Sequence, residues 1–218
     1  MRMQQPPPTF GAIQVYVDST QAASLAEQHN QRVFDEVARC FVRLVFLQQG
    51  TLVDHGSGFW FTRHPDICSA GHLTALTHDS VMAFYADGTS ETVTLVASSQ
   101  DPDLAVFRGQ KQPSDFLRAA AVNSGSSVFV VGAPGATAKQ PALSRGSVSQ
   151  AIDVLTVTAH ADHGWSGGPC TDIYARLVGV VKGAHPAHGP SGRPIVELTP
   201  AQTVQDFLRA NHLPLLTS

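Results

Sequence analysis

Between residues 21 and 39 the apolar positions Ala22, Leu25, Val33, Phe34, Val37 and Ala38 keep roughly to helical spacing, with no Gly or Pro among them. Ser19 or Thr20 stands where a cap is wanted, so the pattern predicts an amphipathic helix packed on the main body. Ahead of it, a Pro tract leads into a short β-like run over residues 13–17. From Cys40 to about residue 199 the period changes. Short β-branched and aromatic runs, at 41–47, 59–61, 81–85, 92–96, 104–107, 128–131, 143–149, 154–158, 177–181 and 195–198, are broken by Gly, Pro, Asp and Ser. Such regular spacing, with almost no helical periodicity between the runs, argues for antiparallel barrels or a sandwich rather than a βαβ sheet. Thr199-Pro200 then supplies a helix start, and Val204, Phe207 and Leu208 form one apolar face beyond it. A break at Gly109-Gln110-Lys111-Gln112-Pro113 reads as a linker between two comparable groups of strands.

Composition narrows the class. Of 218 residues 43% are apolar and 14% charged, enough to bury a sizeable core and too apolar for a disordered chain. The net charge of −3 and the absence of a basic stripe exclude nucleic acid as the expected partner. No apolar run approaches the roughly 18 residues of a membrane span, and the start MRMQQPPPTF lacks the apolar stretch of a secretory signal. The expectation is a chain without membrane contact, in the cytoplasm or another intracellular compartment. Cys40, Cys68 and Cys170 are too few and too scattered for a disulfide framework and read as buried thiols.

Three short segments carry candidate chemistry. In Gly164-Trp165-Ser166-Gly167-Gly168-Pro169 a serine bounded by glycines can present its hydroxyl openly, and the N–H groups of Gly164 and Ser166 can converge on a developing oxyanion. The same letters also fit the nucleophile elbow of an α/β-hydrolase, or a plain Gly-rich turn. His72, in Ser69-Ala70-Gly71-His72-Leu73, follows an apolar strand end, and Asp103 precedes the buried run Leu104-Ala105-Val106. Taken singly, such a histidine is structural and such an aspartate forms a turn. Taken together they give the chain order His, Asp, Ser, whereas α/β-hydrolases run Ser, Asp, His.

With these segments in that order the chain resembles a trypsin-like serine protease of the chymotrypsin fold, closest to the HtrA-type protease domain, over roughly residues 40–210. Four further segments add to the likeness. Gly56-Ser57-Gly58-Phe59 resembles the strand before the histidine, and Val131-Gly132-Ala133-Pro134-Gly135 a conserved-looking turn of that family. Gly146-Ser147-Val148-Ser149 and Leu177-Val178-Gly179-Val180 resemble two of its strands. The resemblance implies two six-stranded antiparallel β-barrels with the site at their junction, and with the N-terminal and C-terminal helices that the periodicity predicts this makes an all-β fold with a helix at each end. The expected division is an extension with its helix over 1–39, a barrel carrying His72 and Asp103 over 40–111, and a barrel carrying Ser166 over 112–218. It implies a serine endopeptidase without cofactor, acting on protein or peptide substrates: Ser166 as nucleophile, His72 as base, Asp103 orienting the imidazole, and Gly164 and Ser166 as the oxyanion hole.

Departures from the family pattern limit what carries over. Trp165 stands where digestive enzymes have an aspartate that pairs with a freed amino terminus, so activation by clipping is not expected. No PDZ module is expected either, nor the assembly it governs. Substrate side chains would meet His160 and the stretch Lys182-Gly183-Ala184, and His160 in place of an aspartate predicts no preference for Lys or Arg. His160-x-x-His163 and His185-x-x-His188 have metal-like spacing, but they lie on predicted loops with no cysteine to join them, so they read as loop histidines and no metal is expected. The helix over 21–39 packs or docks a partner. Two other functions stay in play: a catalytically weak protease-like binding scaffold, and an α/β-hydrolase-type esterase.

Overall fold

The computed structural model describes residues 19–151, 154–185 and 194–216. The β-like run over 13–17 lies outside them, as does His188. Helix α1 (Ser19–Cys40) leads directly into the first strand, and twelve strands follow. These are β1 (Phe41–Gln48), β2 (Thr51–Trp60), β3 (Asp66–Ser69), β4 (Ser80–Tyr85), β5 (Ser90–Ser99) and β6 (Leu104–Arg108). The second set is β7 (Ser127–Gly132), β8 (Ala142–Gln150), β9 (Leu155–Thr158), β10 (Pro169–Asp172), β11 (Leu177–His185) and β12 (Ile195–Pro200). Helix α2 (Ala201–Ala210) ends the fold. The strands close into two antiparallel barrels, in the orders β1-β2-β3-β6-β5-β4 and β10-β11-β12-β9-β8-β7. That architecture bears out the all-β expectation and rules out the α/β-hydrolase alternative, which needs a parallel sheet covered by helices.

Each barrel fills with its own side chains. In β1 the alternate residues Val42, Leu44 and Phe46 point into the first barrel, where Trp60, Ile67, Phe107 and Tyr85 meet them. Val128, Val130, Val148, Val157 and Val196 do the same in the second, the two-residue period of β-strands with one face inward. A third cluster lies between the barrels. It joins Phe41, Phe59 and Phe61 of the first to Phe129, Leu177 and Val180 of the second, and both helices lean on it. Helix α2 contributes Ala201, Val204, Phe207 and Leu208. Helix α1 contributes Val33, Val37 and Cys40, a single stripe at helical spacing.

Two expectations about elements need correction. Among the described side chains of α1 the packing face begins at Val33: residues 23–29 are exposed, and Leu25 is 59% accessible. The amino-terminal half of the helix therefore projects from the body. Strand β3 is legible in the sequence only as the strand end before His72, and β10 not at all, because each is four residues long and carries Asp, Ser, Cys or Pro where β-propensity is low. Burial decides them instead. Asp66 in β3 is fully buried, and its carboxylate accepts two hydrogen bonds from Arg108 of the neighbouring β6, from Nε at 2.6 Å and from Nη2 at 3.0 Å.

Candidate active site

The three segments singled out in the sequence meet at the barrel junction. His72 lies in a short 3₁₀ turn (Gly71–Ala75) directly after β3, and Asp103 in the turn that enters β6. Asp103 adopts φ 59°, a left-handed conformation that Asp tolerates better than most residues. Its carboxylate accepts the His72 backbone N–H at 2.7 Å and lies 3.0 and 3.1 Å from His72 Nδ1. With Nδ1 as donor, the other ring nitrogen is left as the base. Burial of Asp103 favours its neutral form, but the two donors of His72 outweigh that effect and hold the carboxyl below its ordinary pKa. Gln100 fastens the same turns from the side, donating from Nε2 to the Gly71 carbonyl at 3.0 Å.

The serine turn belongs to the second barrel and is held by the first. Ser57 of β2 makes most of that connection. Its N–H donates to the Ser166 carbonyl at 2.8 Å, while its fully buried hydroxyl donates to the Gly164 carbonyl at 2.7 Å and accepts the Ala133 N–H at 2.9 Å. Gly164 stands at φ 90°, and a Cβ there would come within 2.5 Å of His55 Nε2 and 2.7 Å of the Ala133 carbonyl. Glycine is thus required twice at this position, for its backbone conformation and for its lack of a side chain. Gly167 packs as closely on the strand leading to His72, since a Cβ would meet Ser57 O at 2.2 Å and Ser69 Oγ at 2.3 Å. Trp165, where an ion-paired aspartate would stand in digestive relatives, is 4% accessible and packs in the second barrel's core. It anchors the turn by burial.

Among the described residues neither the Gly164 nor the Ser166 N–H donates a hydrogen bond. Ser166 Oγ is partly exposed and donates to the Lys182 carbonyl over a long 3.4 Å. No hydrogen bond joins Ser166 to His72 among the described residues, so the His72–Asp103 arm is formed while the serine points to β11.

Beside Ser166 opens a cleft of about 470 Å³ lined by His160, Ala161, Asp162, His163, Val181, Gly183, Ala184 and Pro194. Three of the four substrate-contact candidates, His160, Gly183 and Ala184, are on its wall. The Lys182 side chain is not. Its ammonium turns to Glu197 of β12, with Nζ 2.6 Å from Oε1, and this contact, together with the charges of Asp103 and Asp101, raises its pKa against the opposing effect of burial. His160 is exposed rather than set in a buried pocket floor, and its Nε2 lies 2.8 Å from the Asp162 carboxylate. Of the second metal-like pair, His185 ends β11 and His188 is outside the described residues.

Sequence reasoning passed over Ser57 as a positioning residue and the cluster of Asp54, His55 and His163 beside it. The Gly-Ser-Gly-Phe motif marks the strand, but the partners of its serine hydroxyl are 76 and 107 residues away.

Comparison with known proteins adds two findings. The fold is similar to the crystal structure of the serine endoprotease from Yersinia pestis, with a TM-score of 0.72 and 18% sequence identity, covering 84% of this chain and 66% of that one. At that identity the likeness is one of fold. No match is found among the curated proteins. Residues 56–180, more than half of the chain and including all three segments of the site, match the family of the trypsin-like peptidase domain, and to that family this chain belongs.

Proposed function

We propose that the chain is a serine endopeptidase in which Ser166, His72 and Asp103 act as a triad. The observation that carries this is the pairing of His72 Nδ1 with a buried Asp103 carboxylate, opposite a serine turn whose Gly164 and Ser166 N–H groups have no partner among the described residues. Ser166 Oγ attacks the scissile carbonyl as its proton passes to His72. The imidazolium then returns that proton to the leaving amine, leaving an acyl-enzyme that water hydrolyses by the same route. Asp103 keeps the imidazole in the tautomer this needs. The Gly164 and Ser166 N–H groups receive the oxyanion, with single donors of this kind worth about 3 kcal/mol of barrier. Attack requires the serine hydroxyl to leave the weak bond to Lys182 for His72, a tightening that catalytic hydrogen bonds commonly undergo when substrate binds.

The cleft beside Ser166 takes the substrate side chain on the acyl side of the cleaved bond. Ala161, Val181, Ala184 and Pro194 give it a small apolar wall, and its carboxylate, Asp162, is already engaged by His160. This supports neutral residues of modest size rather than Lys or Arg. A proteome-derived peptide library, read by mass spectrometry, tests the proposal. Wild-type protein is expected to yield new ends after small neutral residues, and Ser166→Ala none. Cleavage dominated by Lys or Arg contradicts the specificity, and equal cleavage by both proteins contradicts the mechanism.

A further inference from the structure

Asp54 and His55 end the exposed part of β2 where it enters the barrel junction, and His163 immediately precedes Gly164 in the serine turn. The three side chains come from both barrels, yet one potential ligand atom from each lies within 4.8 Å of the other two. His163 Nε2 and Asp54 Oδ1 are 3.3 Å apart, and the two imidazoles meet edge to face with centroids 4.7 Å apart. Such a separation is long for a charged hydrogen bond. It is close to the edge of a tetrahedron with bonds of about 2.0–2.1 Å, which is about 3.3–3.4 Å.

Two further features fit a ligand set. Asp54 Oδ1 accepts the His55 backbone N–H at 2.8 Å, which fixes the carboxylate as supporting hydrogen bonds do around metal ions. His55 is only 9% accessible, and its Nε2 is buried without a partner, an unusual cost for an imidazole unless some function retains it. The ring of His163, by contrast, is 76% exposed and free to turn toward an ion. His160 lies outside the group, with its own Nε2 on Asp162.

We propose that Asp54, His55 and His163 bind one divalent transition-metal ion, with zinc as the best match to two imidazoles and one carboxylate. The ion clasps β2 of the first barrel to the serine turn of the second. Three protein ligands leave a fourth position for water or for a carbonyl or carboxylate of an incoming peptide. The site stands independently of the peptidase reading, since binding needs no turnover.

The test is titration of the chelator-treated full chain with zinc chloride by calorimetry, alongside thermal unfolding. One zinc per chain is expected, with Tm raised by about 5 °C or more at saturation and no comparable effect of magnesium. His163→Ala, an exposed change that leaves the fold intact, and Asp54→Asn are each expected to weaken binding at least tenfold. His160→Ala and His72→Ala are expected to retain it. Absence of binding, binding undiminished in His163→Ala, or binding lost in His160→Ala or His72→Ala overturns the proposal.

Discussion

Ser57 contacts three residues of the second barrel through one hydroxyl and one amide, and none of these partners is near it in sequence. Its case marks how far the site is legible from letters. Ser166, His72 and Asp103 sit in short segments whose order is informative, and so they are readable. The bonds that set the serine turn, and the meeting of Asp54, His55 and His163, arise only when the barrels close. Asp103 permits a test at this scale. A carboxyl held below its ordinary pKa contributes stability above the unfolded value of about 4 and loses that contribution as pH falls through the folded value. Asp103→Asn is therefore expected to be less stable than wild type at pH 7, by about 1–3 kcal/mol for weakened charge-assisted hydrogen bonds, with the gap closing below about pH 4. Urea unfolding at pH 7 and pH 3.5 measures both; a gap that persists undiminished at low pH contradicts the assignment of charge.

Among the elements, α1 illustrates where periodicity misleads. Leu25 shares the helical spacing of Val33 and Val37, yet among the described side chains of the helix the barrels meet only those of the last turns. The face is set by what it can touch, and spacing alone does not reveal the length of the partner surface. Val37 is fully buried, so Val37→Ala is expected to cost about 2 kcal/mol through lost burial and the cavity left behind. Leu25→Ala is expected to stay within about 0.5 kcal/mol of wild type. Equal losses in a urea titration of the two variants would show that the whole helix packs. The short strands β3 and β10 illustrate the opposite error. Their sequences are poor strand formers, and it is pairing on both sides, with β2 and β6 in one case and β7 and β11 in the other, that makes them strands.

At the scale of the molecule, two separately filled barrels share a third cluster of side chains, and the candidate site lies along the same seam. The three cysteines reflect this burial. All are free and buried, and loss of hydration pushes the Cys40 and Cys68 thiols up to about 12, which keeps them protonated and inert. Barrel number and the order of the three candidate segments are legible because the family's motifs are spread over the whole body of the chain; strand register and inter-barrel contacts depend on closure and are not. Among the described residues no helix is long and apolar enough to cross a membrane. Whether this junction activates Ser166 is decided by reaction of the folded protein with a fluorophosphonate, followed by peptide mapping. A single adduct is expected on Ser166, absent in Ser166→Ala and strongly slowed in His72→Ala. A folded wild-type protein whose Ser166 remains unlabelled would contradict it and favour a protease-like binding scaffold.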